Sequence, residues 1–131
     1  MTKTPIAYPG MNAEDRPMGP APLSAALLCE PMLFISGQVA IDPYTKEVVG
    51  DDVAAQTAQI LKNMEGLLQS AGMDLSNIVK VNIFMTDLSK FGEMNDVYAK
   101  AFAAPYPARA TVGITLNDPK LLLELDAVAM R

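Results

Sequence analysis

Three residues on strand-like segments, Arg109, Glu124 and Asp126, are the strongest candidates for chemistry in this chain, which holds no histidine and one cysteine, Cys29. A serine or cysteine triad built on histidine, a histidine acid-base pair, and a zinc site with histidine or several cysteine ligands are therefore excluded. Any reaction must run on carboxylates, arginine, hydroxyls and backbone groups. A guanidinium keeps its charge at every relevant pH, and its planar fork matches a carboxylate through two parallel hydrogen bonds. Glu124 and Asp126 share one face of a strand about 6.8 Å apart, at roughly 3.4 Å per residue, a spacing that suits a carboxylate pair or interface salt bridges. On spacing alone, an Arg–Glu ion pair and a reaction site both remain open. Cys29, beside Leu27 and Leu28, reads as a small buried hydrophobe.

The elements that must position these groups follow from periodicity. Residues 1–22 carry Pro5, Pro9, Pro17, Pro20 and Pro22 among polar and small residues, which disfavours helix and central strand and predicts an extended arm. Residues 23–131 are then one domain, since 131 residues suffice for a single core but not two. The run Leu33 to Ile41 predicts two short strand pieces interrupted at Gly37, that is a bent strand or a hairpin, and the following Asp42-Pro43 opens a turn. Asp51 and Asp52 precede a helical stripe of Val53, Thr57, Ile60, Leu61, Met64, Leu67, Leu68 and Ala71, closed by Gly72. A strand follows over Ile78–Thr86. A second helix is predicted from about Lys90 to Ala103, with Ser89 as cap and Phe91, Met94, Val97, Tyr98 and Phe102 inward, ended by Pro105 and Pro107. Strands over Arg109–Thr115 and Leu121–Met130 complete a β-β-α-β-α-β-β order. This is an α/β (α+β) domain with two helices on one face of a mixed sheet.

Each strand divides into two faces. One set is uniformly apolar and is expected beneath the helices: Val79, Val81, Ile83 and Met85; Ala110, Val112 and Ile114; Leu121, Leu123, Leu125, Ala127 and Ala129. The other set mixes Lys80, Asn82 and Phe84 with Arg109, Thr111 and Gly113, and with Leu122, Glu124, Asp126, Val128 and Met130. That set is too polar for a core and too apolar for a solvated face, so a subunit interface enclosing a polar pocket is expected.

Composition limits the partners. Ten basic and fifteen acidic residues leave a net charge of −5, and the basic groups are scattered singly, so nucleic acid is not an expected partner. No apolar run approaches a membrane span, and the N-terminus lacks the pattern of a secretory signal. A cytoplasmic protein is the expectation.

The stretch Pro105-Tyr-Pro-Ala-Arg109-Ala-Thr-Val-Gly-Ile114 resembles the "PAR(S/A)xV" signature of the Rid family, also called YjgF-like or endoribonuclease L-PSP proteins. Leu33-Phe-Ile-Ser-Gly-Gln38 with Ile41-Asp-Pro43, the segment Asp87–Phe91 with Asn95 and Tyr98, and the final Glu124–Ala129 match in the same order, so the resemblance covers about residues 19–131. It implies a chorismate-mutase-like homotrimer whose sheets face the threefold axis and whose sites lie between subunits. It also implies hydrolysis of 2-imino or 2-enamino acids to 2-keto acids and ammonia, with no metal or other cofactor. In that pattern Arg109 binds the substrate carboxylate and Glu124 holds the attacking water. Ser36, Gly37 and Asn95 line the pocket. Asn95 also fits the exposed side of a helix.

Two positions depart from the pattern. Leu23 stands where deaminating members commonly have a tyrosine, giving a more apolar entrance, and Thr111 stands where many have a cysteine. Three functions are compatible with the resemblance: a deaminase of small imino or enamino acids, including 2-aminomuconate-type catabolic relatives; a non-catalytic small-acid sensor retaining Arg109; and a ribonuclease. The acidity of the chain and its lack of histidine argue against the last.

Overall fold

The computed structural model describes residues 1–13 and 21–131. Pro17 and Pro20 of the arm lie outside the described residues. The elements are β1 (Thr4–Ile6), β2 (Ala26–Cys29), β3 (Met32–Gln38), α1 (Val53–Ser70), β4 (Ile78–Met85), α2 (Phe91–Ala101), β5 (Ala108–Gly113) and β6 (Leu123–Met130). Short 3₁₀ turns at Leu75–Asn77 and Leu88–Lys90 precede β4 and α2. The strands form one mixed sheet in the order β1-β2-β3-β6-β4-β5. Only β4 and β5 run parallel, as a strand–helix–strand crossover requires of neighbours.

The expected α+β architecture holds, with two corrections at its start. Of the two readings of residues 33–41, the bent strand holds, and the hairpin is instead β2–β3, joined around Glu30 and Pro31. Gly37 instead lies in a bulge: β3 pairs with β6 at Ile35↔Ala127 and next at Gln38↔Leu125, so Ser36 and Gly37 together oppose Asp126. Within the arm, Thr4–Ile6 joins the sheet as its edge strand against β2.

Helix α1 begins at Val53 because the Asp52 carboxylate accepts the Ala55 N–H at 2.7 Å. All eight stripe residues are buried, and Gly72 takes the left-handed conformation (φ +73°) beyond the helix end. The helix also buries amides that tie down the strand ends. Gln56 Nε2 donates to the Lys120 carbonyl at 2.7 Å and its Oε1 accepts the Leu122 N–H at 2.9 Å, fixing the entry to β6. Asn63 donates to the carbonyls of Val39 and Ile41, fixing the exit from β3. Helix α2 is not capped by Ser89. Asp87 caps the preceding 3₁₀ turn and accepts both the Ser89 N–H and its hydroxyl, and the helix ends at Ala101.

Leu33, Ile35, Val81, Ile83, Met85, Leu123, Leu125, Ala127 and Ala129 form the sheet side of the core beneath the helices. Val79 is not among them. A register shift between Ile78 and Lys80 buries Ile78 and leaves Val79 45 % exposed. Cys29 is half-buried rather than buried.

Candidate active site

The register of β4 with β5 decides how the candidate residues are arranged. Val81 pairs with Arg109 and Ile83 with Thr111, while Asn82 pairs with Ala110 and Phe84 with Val112. Laterally paired residues point the same way, so Arg109 and Thr111 lie on the helix side with the buried Val81 and Ile83. This reverses the expectation for β5. Ala110 and Val112 occupy the far face, where Val112 is 47 % exposed, and Gly113 lies on the helix side. On β4 and β6 the expected faces hold from Lys80 onward: Phe84 pairs with Glu124 and Asn82 with Asp126 on the far face. Arg109 and Glu124 therefore stand on opposite sides of the same sheet.

On the helix side, Arg109 is half-buried at the edge strand, its guanidinium carbon 4.9 Å from the centre of the Tyr98 ring and 5.5 Å from that of Phe91. Such contacts contribute roughly 0.5–2 kcal/mol each and hold the fork without using its N–H donors. Phe91, Asn95 and Tyr98 follow at helical spacing, which puts half-buried Asn95 on the same stripe of α2. Two hydroxyls nearby are buried without a hydrogen-bond partner, Thr111 Oγ1 and Tyr98 Oη. Burial pushes the Tyr98 phenol up, and the Arg109 charge opposes that shift.

On the far face, the Glu124 carboxylate lies directly over Gly37. A Cβ at Gly37 would stand 2.6 Å from Glu124 Oε2, so no larger residue fits without moving the acid. Burial holds the Glu124 carboxyl above the usual range, and the charge of Asp126 adds to the rise. Asp126 is itself engaged, accepting a 2.9 Å hydrogen bond from Asn82. The Ser36 hydroxyl donates to the Ser24 carbonyl at 2.6 Å, so only its lone pairs remain for another group. Leu23, next in the chain to Ser24, is 54 % exposed.

Neither charged group has an ionic partner among the described residues. Among the described residues the ion pairs are Lys90–Glu93 and Arg131–Glu30. The intramolecular Arg109–Glu124 pair that spacing left open does not form. A surface groove of about 630 Å³ bordered by Glu47, Asp51, Asp118 and Lys120 contains neither residue.

Tyr98 is buried in the core as expected, whereas Phe91, expected inward, is 39 % exposed; that both rings support Arg109 was missed. The signal was present in their spacing with Asn95, once β5 is set parallel to β4. The place of Asp126 beside Glu124 was legible from alternation alone.

The fold and these two stations define a class: α+β chains with a guanidinium on one sheet side and, on the other, a carboxylate without a cation among the described residues. Residues 13–131 match the family described as Endoribonuclease L-PSP. A RutC family protein of Pyrococcus horikoshii is 37 % identical over 118 residues, covering 90 % of this chain and 94 % of that one. The human 2-iminobutanoate/2-iminopropanoate deaminase is 34 % identical over 110 residues, covering 84 % and 80 %. Among solved structures, the Rid family protein YyfA of Yersinia pestis superimposes with a TM-score of 0.85 at 33 % identity, covering 99 % of this chain and all of that one. The chain belongs to the Rid family, the YjgF-like or endoribonuclease L-PSP proteins.

Proposed function

We propose that this chain hydrolyses 2-imino or 2-enamino acids to 2-keto acids and ammonia, in sites assembled between the subunits of a homotrimer. The observation that carries this reading is the separation of Arg109 and Glu124 onto two sheet sides, each partly buried and neither paired. A half-desolvated carboxylate without a cation costs free energy, and such groups concentrate where chemistry is done. The far face also keeps Phe34 (43 %), Val112 (47 %) and Met130 (42 %) exposed around Glu124 and Asp126, as suits contact with a second copy. With the β5 edge of one chain set against the far face of another, Arg109 of the first can meet Glu124 of the second. Relatives named as deaminases of 2-imino acids supply the reaction class.

The chemistry follows from the groups present. Arg109 grips the substrate carboxylate with its fork, with Asn95 and Thr111 beside it. An imine carbon is already electrophilic, so catalysis needs orientation, a placed water and proton transfer. Glu124, above Ser36 and Gly37, accepts a proton as water adds to C2. Its raised proton affinity makes it a better acceptor than an ordinary carboxylate. The proton then passes to the nitrogen to give a carbinolamine. Glu124 takes up the hydroxyl proton and returns it to the nitrogen, so that as the C–N bond breaks the C=O bond forms and neutral ammonia leaves a keto acid. An enamine enters after protonation at C3. No step calls for a metal or covalent nucleophile.

A binding-only member would retain Arg109 without turnover, and exposed Leu23, which brings no hydroxyl to the entrance, favours that second reading. Ammonia release from freshly generated 2-aminoacrylate, with and without protein, decides between them. Glu124→Gln should lower turnover by about 10² to 10⁴, the usual contribution of one acid-base group. Binding of a keto acid should survive. If binding, turnover and assembly fall together, Glu124 is structural.

A further inference from the structure

The N-terminal arm ends against the device that holds Glu124. Tyr8 is only 7 % exposed, and its hydroxyl donates to Gln38 Oε1. The other end of that amide, Nε2, donates to the Ser36 carbonyl at 2.9 Å. Gln38 is itself buried and pairs with Leu125, the neighbour of Glu124, on the helix side of the sheet. Ser36 and Gly37, between these anchors, form the bulge beneath the Glu124 carboxylate. A bulge leaves part of the ladder unpaired and lets the strand bend, so its shape depends on what satisfies its free groups. Here the Ser36 carbonyl is satisfied by an amide whose orientation Tyr8 sets.

The arm is built to reach that point. β1 pairs with β2, the Tyr44 hydroxyl donates to the Pro9 carbonyl at 2.8 Å, and the Met11 N–H closes a turn onto the Tyr8 carbonyl. On α1, Gly66 leaves room for the arm: a Cβ there would stand 3.3 Å from Pro9 and 3.9 Å from the Tyr8 ring. Burial pushes the Tyr8 phenol up to about 12, so it remains a neutral donor throughout the working range of the site. The family match begins only at residue 13, beyond Tyr8.

We propose that Tyr8 is a positioning residue for Glu124, acting through Gln38 and Ser36 to hold the bulge on which the carboxylate rests. Its importance for turnover rests on the deaminase reading above; its effect on the carboxylate does not. A phenylalanine at position 8 keeps the packing and removes only the donor. Without it, Gln38 can turn, the Ser36 carbonyl loses its partner, and water gains access to Glu124.

The test is a titration of the Glu124 carboxyl by carbon NMR in the full chain, with the signal assigned by its loss in Glu124→Gln. Among the described residues the charged groups on that face are Asp126 of β6 and Lys80 of β4, with another chain's Arg109 facing it in the proposed assembly, while β3 and β5 present Phe34, Ser36, Ala110 and Val112 there. None of these is altered by the variants. Tyr8→Phe should lower the Glu124 midpoint toward the ordinary carboxylate value of about 4.3. Tyr44→Phe loosens the same arm at a point off the Gln38 path and should leave it unchanged. In the deaminase assay Tyr8→Phe should lower kcat roughly threefold to tenfold, the range of one hydrogen bond, with KM held. An unchanged Glu124 midpoint in Tyr8→Phe, or equal shifts in both variants, overturns the proposal. Wild-type protein that releases no ammonia overturns the deaminase reading instead and leaves the titration decisive.

Discussion

The carboxylate and guanidinium stations of this chain are built on different principles. Glu124 sits on β6, between β3 and β4, and backbone fixes it: a bulge, a glycine that only the acid can cover, and amides from α1 that pin the strand ends. Arg109 sits on the edge strand β5, which pairs only with β4, and aromatic side chains hold it. A central strand can place an atom rigidly, as the positioning of water requires. An edge strand leaves its free side for another chain, and a stacked guanidinium keeps all its donors for a ligand. The first station suits turnover, the second capture.

That contrast can be broken by substitution. The largest effect on capture is expected from Arg109→Lys, which keeps the charge and loses the fork: KM should rise about a hundredfold, with a smaller change in kcat. Steady-state kinetics checks it, and near-normal constants would remove Arg109 from the site. Gly37→Ala should act on the opposite parameter. The new methyl displaces the Glu124 carboxylate without touching Arg109, so kcat should fall about tenfold while KM holds. A rise in KM alone would show that the two stations are not separable.

Asp126→Asn should have the smallest effect and reports on proton affinity. Burial is the larger cause of the raised Glu124 carboxyl and Asp126 the smaller. Turnover requires the ionised acid, so activity is lost as pH falls through this raised pKa. Removing the Asp126 charge stabilises the ionised form and should move the acid limb of the rate profile to lower pH, though not to the usual carboxylate position. An acid limb that stays put would mean that another group sets it.

Much of this arrangement was legible in the residues. Helix α1 announced itself by an unbroken apolar stripe between Asp52 and Gly72, and Asp126 beside Glu124 followed from alternation. The motif around Arg109 identified the family. What alternation cannot supply is which side of a strand looks at the helices. On β5 the apolar set Ala110 and Val112 faces away from the core, because the register with β4 turns Arg109 and Thr111 inward, and a shift of one residue reverses every side chain. A strand whose apolar set faces away from its own helices defeats the rule that apolar means core. The hairpin β2–β3 escaped for a simpler reason: β2 has four residues and its turn carries no glycine. Gly37, read as a strand break, marks a bulge instead, since the residue that weakens a strand also permits close approach of a carboxylate.

Subunit complementation tests most directly whether one chain's Arg109 works with another chain's Glu124. Arg109→Ala and Glu124→Gln, each purified and inactive alone, are unfolded together in equal amounts, refolded and assayed for ammonia release. If each site draws its arginine and its glutamate from different chains, random assembly restores about a quarter of wild-type activity, because half the chains retain each residue. Activity as low as that of the parents in mixed assemblies of confirmed composition would contradict the account, since it would place both residues of every working site in one chain.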